Sequence, residues 1–90
     1  MDRLKMKTLH IIKNRDDSYT KDIVKGIAQK GDEVAILLMH DAVFSRPEKD
    51  IKTFACKDDV DARGITSNAL PVTYDEIIPL IFEYDNVICW

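Results

Sequence analysis

The sequence predicts a small α/β domain with a mostly parallel sheet between two helical layers. Short apolar runs alternate with segments whose apolar residues recur at helical spacing, which is typical of strands linked by helices in a parallel sheet. The run Val34–Met39 holds six consecutive apolar residues, as expected for a strand buried on both faces. The 90 residues predict one domain, since domains commonly have about 100–150 residues.

The first half of the chain is predicted to supply two strands and one helix. Lys7–Lys13 is the first strand, because its apolar residues lie in a short run bounded by charge. After a loop at residues 14–17, Ser18 or Asp17 is suited to cap a helix that ends at Gly31. The apolar positions of this helix are Tyr19, Ile23, Val24, Ile27 and Ala28.

The middle of the chain is predicted to continue with short elements. Residues 40–47 follow the strand Val34–Met39 and have room for one helical turn before Pro47. Ile51–Cys56 is the third strand, and residues 58–63 form a turn of helix that ends at Gly64. Leu70–Val72 makes a very short strand, which its proline confines to a sheet edge or a strand start.

The last predicted helix, Tyr74–Tyr84, follows a capping box formed by Thr73 and Glu76. Pro79 lies beyond its first turn and removes one backbone hydrogen bond, so we expect a kink or a shorter helix. Its apolar side comprises Ile77, Ile78, Ile81 and Phe82, and Val87–Trp90 is the final strand. The complete order of elements predicts a flavodoxin-like three-layer domain.

Charge is unevenly distributed along the chain. The net charge is −3, made up of +4 in residues 1–30, −3 in residues 31–60 and −4 in residues 61–90. An acidic domain without a basic stripe is a poor nucleic-acid binder by itself, because phosphate neutralisation supplies most of that affinity. The opposite signs suit head-to-tail or heteromeric assembly, but on charge alone two differently charged solvated faces are the favoured interpretation.

The N-terminal residues predict a cytosolic protein without a membrane anchor. Residues 1–5 are charged and no long apolar run follows them, unlike a signal peptide. No stretch approaches the roughly 20 apolar residues of a membrane span. We therefore expect cytoplasmic localisation, where thiols stay reduced. Met6 offers a second start, which would make residues 1–5 a frayed extension.

Cys56 is the candidate reactive residue. It stands where a predicted strand meets a predicted helix, and ligands of open α/β sheets collect at that edge. A helix amino end favours the thiolate, whereas the acidic Asp58 and Asp59 oppose it. The other interpretation is a buried, inert strand cysteine. His40 and Asp41, at the end of another strand, are candidates to assist proton transfer, or are a surface residue and a cap.

The sequence lacks the local patterns of common cofactor sites. No pair of Cys or His residues has zinc-ligand spacing, and Cys89 is expected to be a packing residue of the last strand. The turn after the first strand is acidic and carries no glycine-rich phosphate loop. We therefore predict neither a metal nor an organic cofactor. His10 is expected to be packed or hydrogen-bonded within its strand.

Several segments together carry a resemblance to a known family. They are Leu9-His10, the run Gly31–Val34 before an apolar strand, Ala55–Gly64 with its acidic pair and Arg-Gly, Val72–Ile77, and Trp90. In this combination and order the chain resembles the DsrH/TusB branch of the DsrE/DsrF/DsrH-like sulfur-relay superfamily, from about Met6 to Trp90. The resemblance implies a small flavodoxin-like domain that works with sister subunits or with copies of itself.

The resemblance also implies a function. Proteins of this kind take part in 2-thiouridine formation at tRNA wobble positions or in intracellular sulfur oxidation, and exchange persulfide sulfur with donor and acceptor proteins. The spacing Cys56-x6-Arg63-Gly64 matches the persulfide-carrying pattern of the DsrE-like sister subunits. Cys56 is thus the expected carrier, with His40, Asp41 and Arg63 supporting it. Because TusB-like proteins commonly lack cysteine here, the alternative is a non-catalytic subunit that scaffolds a Cys-bearing partner.

Overall fold

The computed structural model describes residues 6–15, 18–48 and 50–90. These residues form five strands, three α-helices and one short 3₁₀ helix. In chain order they are β1 (Lys7–Ile12), α1 (Ser18–Gln29), β2 (Glu33–Leu38), the 3₁₀ helix (His40–Phe44), β3 (Lys52–Cys56), α2 (Lys57–Ala62), β4 (Leu70–Val72), α3 (Tyr74–Phe82) and β5 (Asn86–Cys89). The predicted frayed extension at residues 1–5 and the alternative cap Asp17 lie outside the described residues.

All five strands are parallel and lie in the order β4-β3-β2-β1-β5. The chain begins in the middle of the sheet, builds outward to β4 and then returns to the far side of β1. Short edge strands therefore flank a long buried centre, and all the carboxyl ends meet at one edge of the sheet. This arrangement is the predicted α/β architecture with a flavodoxin-like fold.

Two separate cores show which helices cover each face. One core joins β1 and β2 residues to Val24 of α1 and to Ala42 and Val43 of the 3₁₀ helix, with Val60 of α2 packed against it. The other core joins the opposite faces of the same strands to Ile77 and Leu80 of α3. One face is therefore covered by three helical segments, and the other by α3.

The capping box of α3 is confirmed, but the predicted apolar side of this helix is wrong in part. Glu76 accepts a hydrogen bond from the Thr73 N–H at 2.8 Å, which satisfies an orphan donor of the first turn. Ile77, Leu80 and Ile81 face the sheet, whereas Ile78 is 63% exposed and Phe82 is 83% exposed. A helix on a flat sheet buries a single face, and positions 78 and 82 lie about one residue, or roughly 100°, beyond it.

Two further expectations about the helices can be compared with the structure. The helix with Pro79 in its interior ends at Phe82 rather than at Tyr84, in line with the expected shortening. Tyr19 does not pack on the sheet as predicted but is 75% exposed, and Thr20 occupies the buried position beside it.

Across the residues that the structure describes, none of the helices is long and apolar enough to cross a membrane.

Candidate functional site

Cys56 lies at the carboxyl edge of the sheet, between two other strand ends. It is the last residue of β3 and directly precedes α2. On one side of β3 is the end of β2, which continues into His40, and on the other side is the end of β4, which continues into Tyr74. Cys56 is fully buried, at 0% exposure. Chain segments that follow three adjacent strands therefore close around this thiol.

Asp59, on the first turn of α2, organises the surroundings of Cys56. This carboxylate is buried, at 7% exposure, and accepts hydrogen bonds from two other segments. The backbone N–H of His40 donates to Oδ2 at 2.8 Å, and the Tyr74 hydroxyl donates to Oδ1 at 3.2 Å. Arg63 Nη1 lies 3.6 Å from Oδ1. A buried carboxylate requires such partners, because an unpaired charge is costly to desolvate.

Arg63 joins Asp59 to a second carboxylate nearer the surface. Its Nε and Nη2 donate to Asp41 Oδ1 at 3.2 Å and 3.1 Å, and its Nη1 donates to the Asp59 carbonyl at 3.3 Å. The guanidinium has five donors in a fixed planar arrangement, so it can bridge the 3₁₀ helix and α2 at once. Arg63 thereby fixes how α2 sits against the segment after β2.

A separate hydrogen bond ties the start of α3 to the same cluster. Asp58 Oδ2 accepts the backbone N–H of Tyr74 at 3.0 Å. This N–H belongs to the first residue of α3 and has no partner within the helix. Asp58 and Asp59 therefore hold Tyr74 at its backbone and at its hydroxyl, and the residue remains 50% exposed.

The surroundings of Cys56 raise the pKa of its thiol. Burial is the largest cause, and the Asp59 carboxylate adds to it by accepting from the thiol and through its charge. The backbone N–H groups of Asp59 and Asp58 at the start of α2 act in the opposite direction. The resting state of this cysteine is therefore the thiol.

The pKa of the Asp59 carboxyl group is lowered by its hydrogen-bond partners, whereas the pKa of the Cys56 thiol is raised. Burial alone would raise its pKa, but hydrogen bonds from the His40 N–H, the Cys56 thiol and the Tyr74 hydroxyl outweigh burial and lower it. The pKa of Tyr74 is raised, first by the charge of Asp59 and then by Cys56. At neutral pH the cluster thus consists of a thiol, a carboxylate and a phenol.

The four residues singled out in the sequence fall within one network but in unequal positions. Asp59 is at its centre, the Cys56 thiol donates to Asp59, and Arg63 contacts Asp59 directly. Asp41 reaches Asp59 only through Arg63, and His40 is exposed and makes its contact through the backbone N–H. Arg15, which follows β1, does not supply a cation to Cys56, because β2 separates β1 from β3 and its guanidinium lies 4.7 Å from the centroid of the Phe44 ring.

The sequence analysis did not identify Tyr74 as a partner of Cys56, and it identified Asp59 only as a charge that opposes the thiolate. The signal for Asp59 was its spacing, because residue i+3 from a helix-capping residue lies beside that residue in the first turn. Tyr74 follows a different strand, and only the pairing of β4 with β3 brings it to Cys56. Among the described residues, no group of three His, Cys, Asp or Glu side chains is arranged to hold a metal ion.

The other sequence candidates lie away from this cluster. Cys89 is exposed on the edge strand β5 and is not part of either core. His10 is packed as expected: it is fully buried, and its Nδ1 accepts a hydrogen bond from the Trp90 indole at 3.1 Å. The two rings are stacked, with centroids 6.1 Å apart.

No protein-family model matches the sequence, and no curated protein matches it significantly. Among solved structures, the fold is similar to that of the YchN protein from E. coli, with a TM-score of 0.68 and 17% sequence identity. The superposition covers 94% of this chain and 99% of the YchN chain. Because so few residues are identical, the likeness concerns the fold: this chain and YchN share one small α/β architecture.

Proposed function

We propose that this chain is a sulfur-relay protein in which Cys56 accepts persulfide sulfur from one protein and passes it to another. The observation that carries the proposal is the cluster at the carboxyl end of β3, where Cys56 interacts with Asp59 and Tyr74, and Arg63 contacts Asp59. The sequence resemblance to the DsrH/TusB branch supports it, and the fold is the one that this resemblance implies. The relay would serve tRNA wobble uridine 2-thiolation or intracellular sulfur oxidation, in the cytoplasm.

Persulfide exchange requires little of the protein beyond one nucleophilic cysteine. Cys56 Sγ attacks the outer sulfur of a donor persulfide, so a new S–S bond forms and the donor S–S bond breaks. The electron pair of the broken bond leaves with the donor sulfur, which takes up the proton released by Cys56. No net oxidation occurs, and the product is a persulfide on Cys56. The reverse sequence delivers the outer sulfur to an acceptor.

The supporting residues act by position rather than by contact with sulfur. Arg63 holds Asp59 and Asp41 together, and the His40 backbone N–H fixes the Asp59 carboxylate. Donor and acceptor are proteins in this proposal, and the chain works beside DsrE/DsrF-like sister subunits or other copies of itself. Its acidic C-terminal third, at −4 in residues 61–90, suits a partner with basic residues.

Loading with polysulfide tests the proposal directly. We expect the folded protein to gain one sulfur atom on the Cys56 peptide, removed again by a reducing agent and read by intact mass and peptide mapping. The Cys56→Ser variant should lose this gain, whereas Cys89→Ser should keep it. Because Cys56 reacts only when the structure opens locally, loading is continued until sulfur uptake no longer changes. Sulfur on Cys89 alone, or on neither cysteine, at that point would rule out Cys56 as the carrier.

Two observations favour a second function, that of a non-catalytic subunit that scaffolds a Cys-bearing partner. The Cys56 thiol is fully buried, and α3 presents three exposed side chains at intervals of one turn: Tyr74 at 50%, Ile78 at 63% and Phe82 at 83% exposure. Such an uncovered apolar face on a soluble domain is typical of an interaction surface. On this hypothesis the face of α3 holds the partner and Cys56 only packs.

The two functions differ in what Cys56→Ser does in cells that depend on the relay. A carrier loses sulfur transfer when its cysteine becomes serine, although binding to partners is retained. A scaffold keeps full transfer in Cys56→Ser and loses it in Phe82→Glu, which places a charge on the α3 face. Tyr19→Glu, an equally exposed aromatic position on α1, is the matched control and should have no effect in either case.

A further inference from the structure

We propose that Asp59 and Tyr74 together keep Cys56 in a protected thiol state, and that displacement of Tyr74 is the step that makes the thiol available. This inference rests on the proposed carrier function and adds its regulation. It assigns a positioning role to two residues whose side chains interact with the Cys56 thiol, rather than to His40 or Asp41. The resting protein is then closed, and a partner that moves Tyr74 opens it.

The burial of Cys56 and the position of Tyr74 support the first half of the proposal, that the thiol is protected. Cys56 has no exposed surface, although it lies at the sheet edge where strands end and solvent is near. Tyr74 is half exposed, and its hydroxyl donates a hydrogen bond to the Asp59 carboxylate at 3.2 Å. Cys56 is close enough to contribute to the raised pKa of this hydroxyl. A side chain that is itself half exposed thus reaches the buried pair through its hydroxyl. Among the described residues, two hydrogen bonds join this residue to α2, the hydroxyl bond to Asp59 and the backbone bond to Asp58.

The charges around the thiol support the second half of the proposal, that the closed protein keeps Cys56 protonated. From α2, the Asp59 carboxylate faces Cys56, with Asp58 beside it and Arg63 on the far side of Asp59. From the segment after β2 come His40, which binds Asp59 by its N–H, and Asp41, which is neutralised by Arg63. From α3 comes the neutral phenol of Tyr74. Negative charge thus lies closest to the sulfur, while the positive guanidinium is directed at carboxylates.

This arrangement explains how a relay cysteine avoids random reaction. A thiolate is the nucleophile in persulfide exchange, and both the charge of Asp59 and burial disfavour it. When Tyr74 moves away, water reaches the pair, burial no longer penalises the anion, and Asp59 loses one of its hydrogen-bond donors. The exposed thiol can then deprotonate and attack a persulfide presented by the protein that displaced Tyr74.

Alkylation of the native protein over a range of pH tests the inference. Iodoacetamide labelling of Cys56 is followed by peptide mass spectrometry, with the exposed Cys89 of the same molecules as an internal reference. Tyr74→Ala removes the cover, so we expect Cys56 to react about tenfold faster or more at every pH. Asp59→Asn removes the charge but keeps the shape, so the pH midpoint of labelling should fall by about one unit, a tenfold gain in thiolate at neutral pH.

Three matched variants separate this role from loss of stability. Tyr74→Phe keeps the ring but loses the hydroxyl bond to Asp59, so its labelling rate should lie between those of the parent and Tyr74→Ala. Asp61→Asn changes an exposed acid on the same helix, paired with Lys57, and should leave the pH midpoint unchanged. Ile77→Ala weakens the packing of α3 without removing the cover, because Ile77 is buried against the sheet.

The outcomes decide between the inference and the function on which it rests. The inference is overturned if Tyr74→Ala labels no faster than Ile77→Ala, or if Asp59→Asn leaves the pH midpoint where Asp61→Asn leaves it. Polysulfide loading of the parent protein is measured alongside. If Cys56 takes up sulfur while these variants change nothing, the carrier function stands without the protection. If the variants behave as expected but neither they nor the parent take up sulfur, the protection stands and the carrier function falls.

Discussion

Two strands of the sheet end in cysteine, and the two ends are built differently. β3 has a neighbour on each side and leads directly into α2, so segments from three strands enclose Cys56 completely. β5 is an edge strand with β1 as its neighbour, and Cys89 at its end is exposed. Both cysteines occupy the same place in the local pattern, the last residue of a strand. The position of a strand in the sheet, rather than the sequence near its end, therefore determines whether a thiol is hidden.

The largest expected difference between the two ends is in thiol reactivity. With a limiting alkylating reagent, we expect Cys89 to react at least about a hundredfold faster than Cys56 in the folded protein, because Cys56 reacts only when the structure opens locally. Peptide mass spectrometry over a time course measures both rates in one sample. In urea the difference should vanish. Equal rates under native conditions would show that the enclosure of Cys56 is absent in solution.

The next effect concerns Trp90, the residue directly after β5. Its indole stacks on His10 and donates to Nδ1, while its ring packs against the core shared with α1. Trp90→Ala removes this packing and leaves a buried acceptor unpaired, so we expect a loss of about 3 kcal/mol in the free energy of unfolding. Trp90→Phe keeps most of the packing and should lose about 1 kcal/mol. Urea denaturation measures both, and a loss below about 0.5 kcal/mol in Trp90→Ala would contradict the contact.

The smallest effect is a difference in how the free energy of unfolding depends on pH near the end of β5, through His10, and near the end of β3, through Asp59. Burial lowers the pKa of His10 below its usual 6.5, so the unfolded chain binds more protons in acid. The stability linked to His10 is complete above about pH 6.5 and falls as the pH drops towards its folded pKa, by at most about 1.4 kcal/mol per unit. Asp59, whose pKa is also lowered, keeps its contribution down to about pH 4 and loses it below.

Urea unfolding at several pH values separates these two windows. His10→Gln retains an acceptor for the indole but cannot titrate, so its stability should be flat between pH 7 and pH 5, where the parent declines. Asp59→Asn should show the same decline between pH 7 and pH 5 but lie below the parent by a constant amount, and this gap should close below about pH 4, where the parent loses the contribution of the carboxylate. A parent protein whose stability does not change between pH 7 and pH 5 would mean that His10 is not held neutral.

The sequence predicted the elements well, because each rests on local patterns. Apolar runs located the strands, the Thr73–Glu76 capping box located the start of α3, and Gly64, with φ of 61°, ends α2 as expected. The burial of α3 was harder. Ile78 and Phe82 are as apolar as Ile77, and only the presence of a single sheet face beneath the helix decides which are buried.

The candidate site divides in the same way between local and long-range information. Cys56 and Arg63 were identifiable because they lie on one continuous strand–helix segment. Tyr74 was not, since its approach to Cys56 depends on β4 pairing with β3 across a loop. Asp59 was recognised as a charge that opposes the thiolate, but its burial and its bonds to His40 and Tyr74 arise only when three strand ends are brought together.

The backbone at His40 has a consequence for how much of this site a sequence can vary. His40 adopts a φ of 51°, a conformation that few residues other than glycine tolerate, and in doing so directs its N–H at the Asp59 carboxylate. At this position the site requires a backbone conformation that points the N–H at Asp59, and it does not require an imidazole side chain. Glycine or asparagine would meet that requirement as well as histidine does. Sequences of the same fold can therefore lose the histidine, an apparent functional residue, and still preserve the surroundings of the thiol.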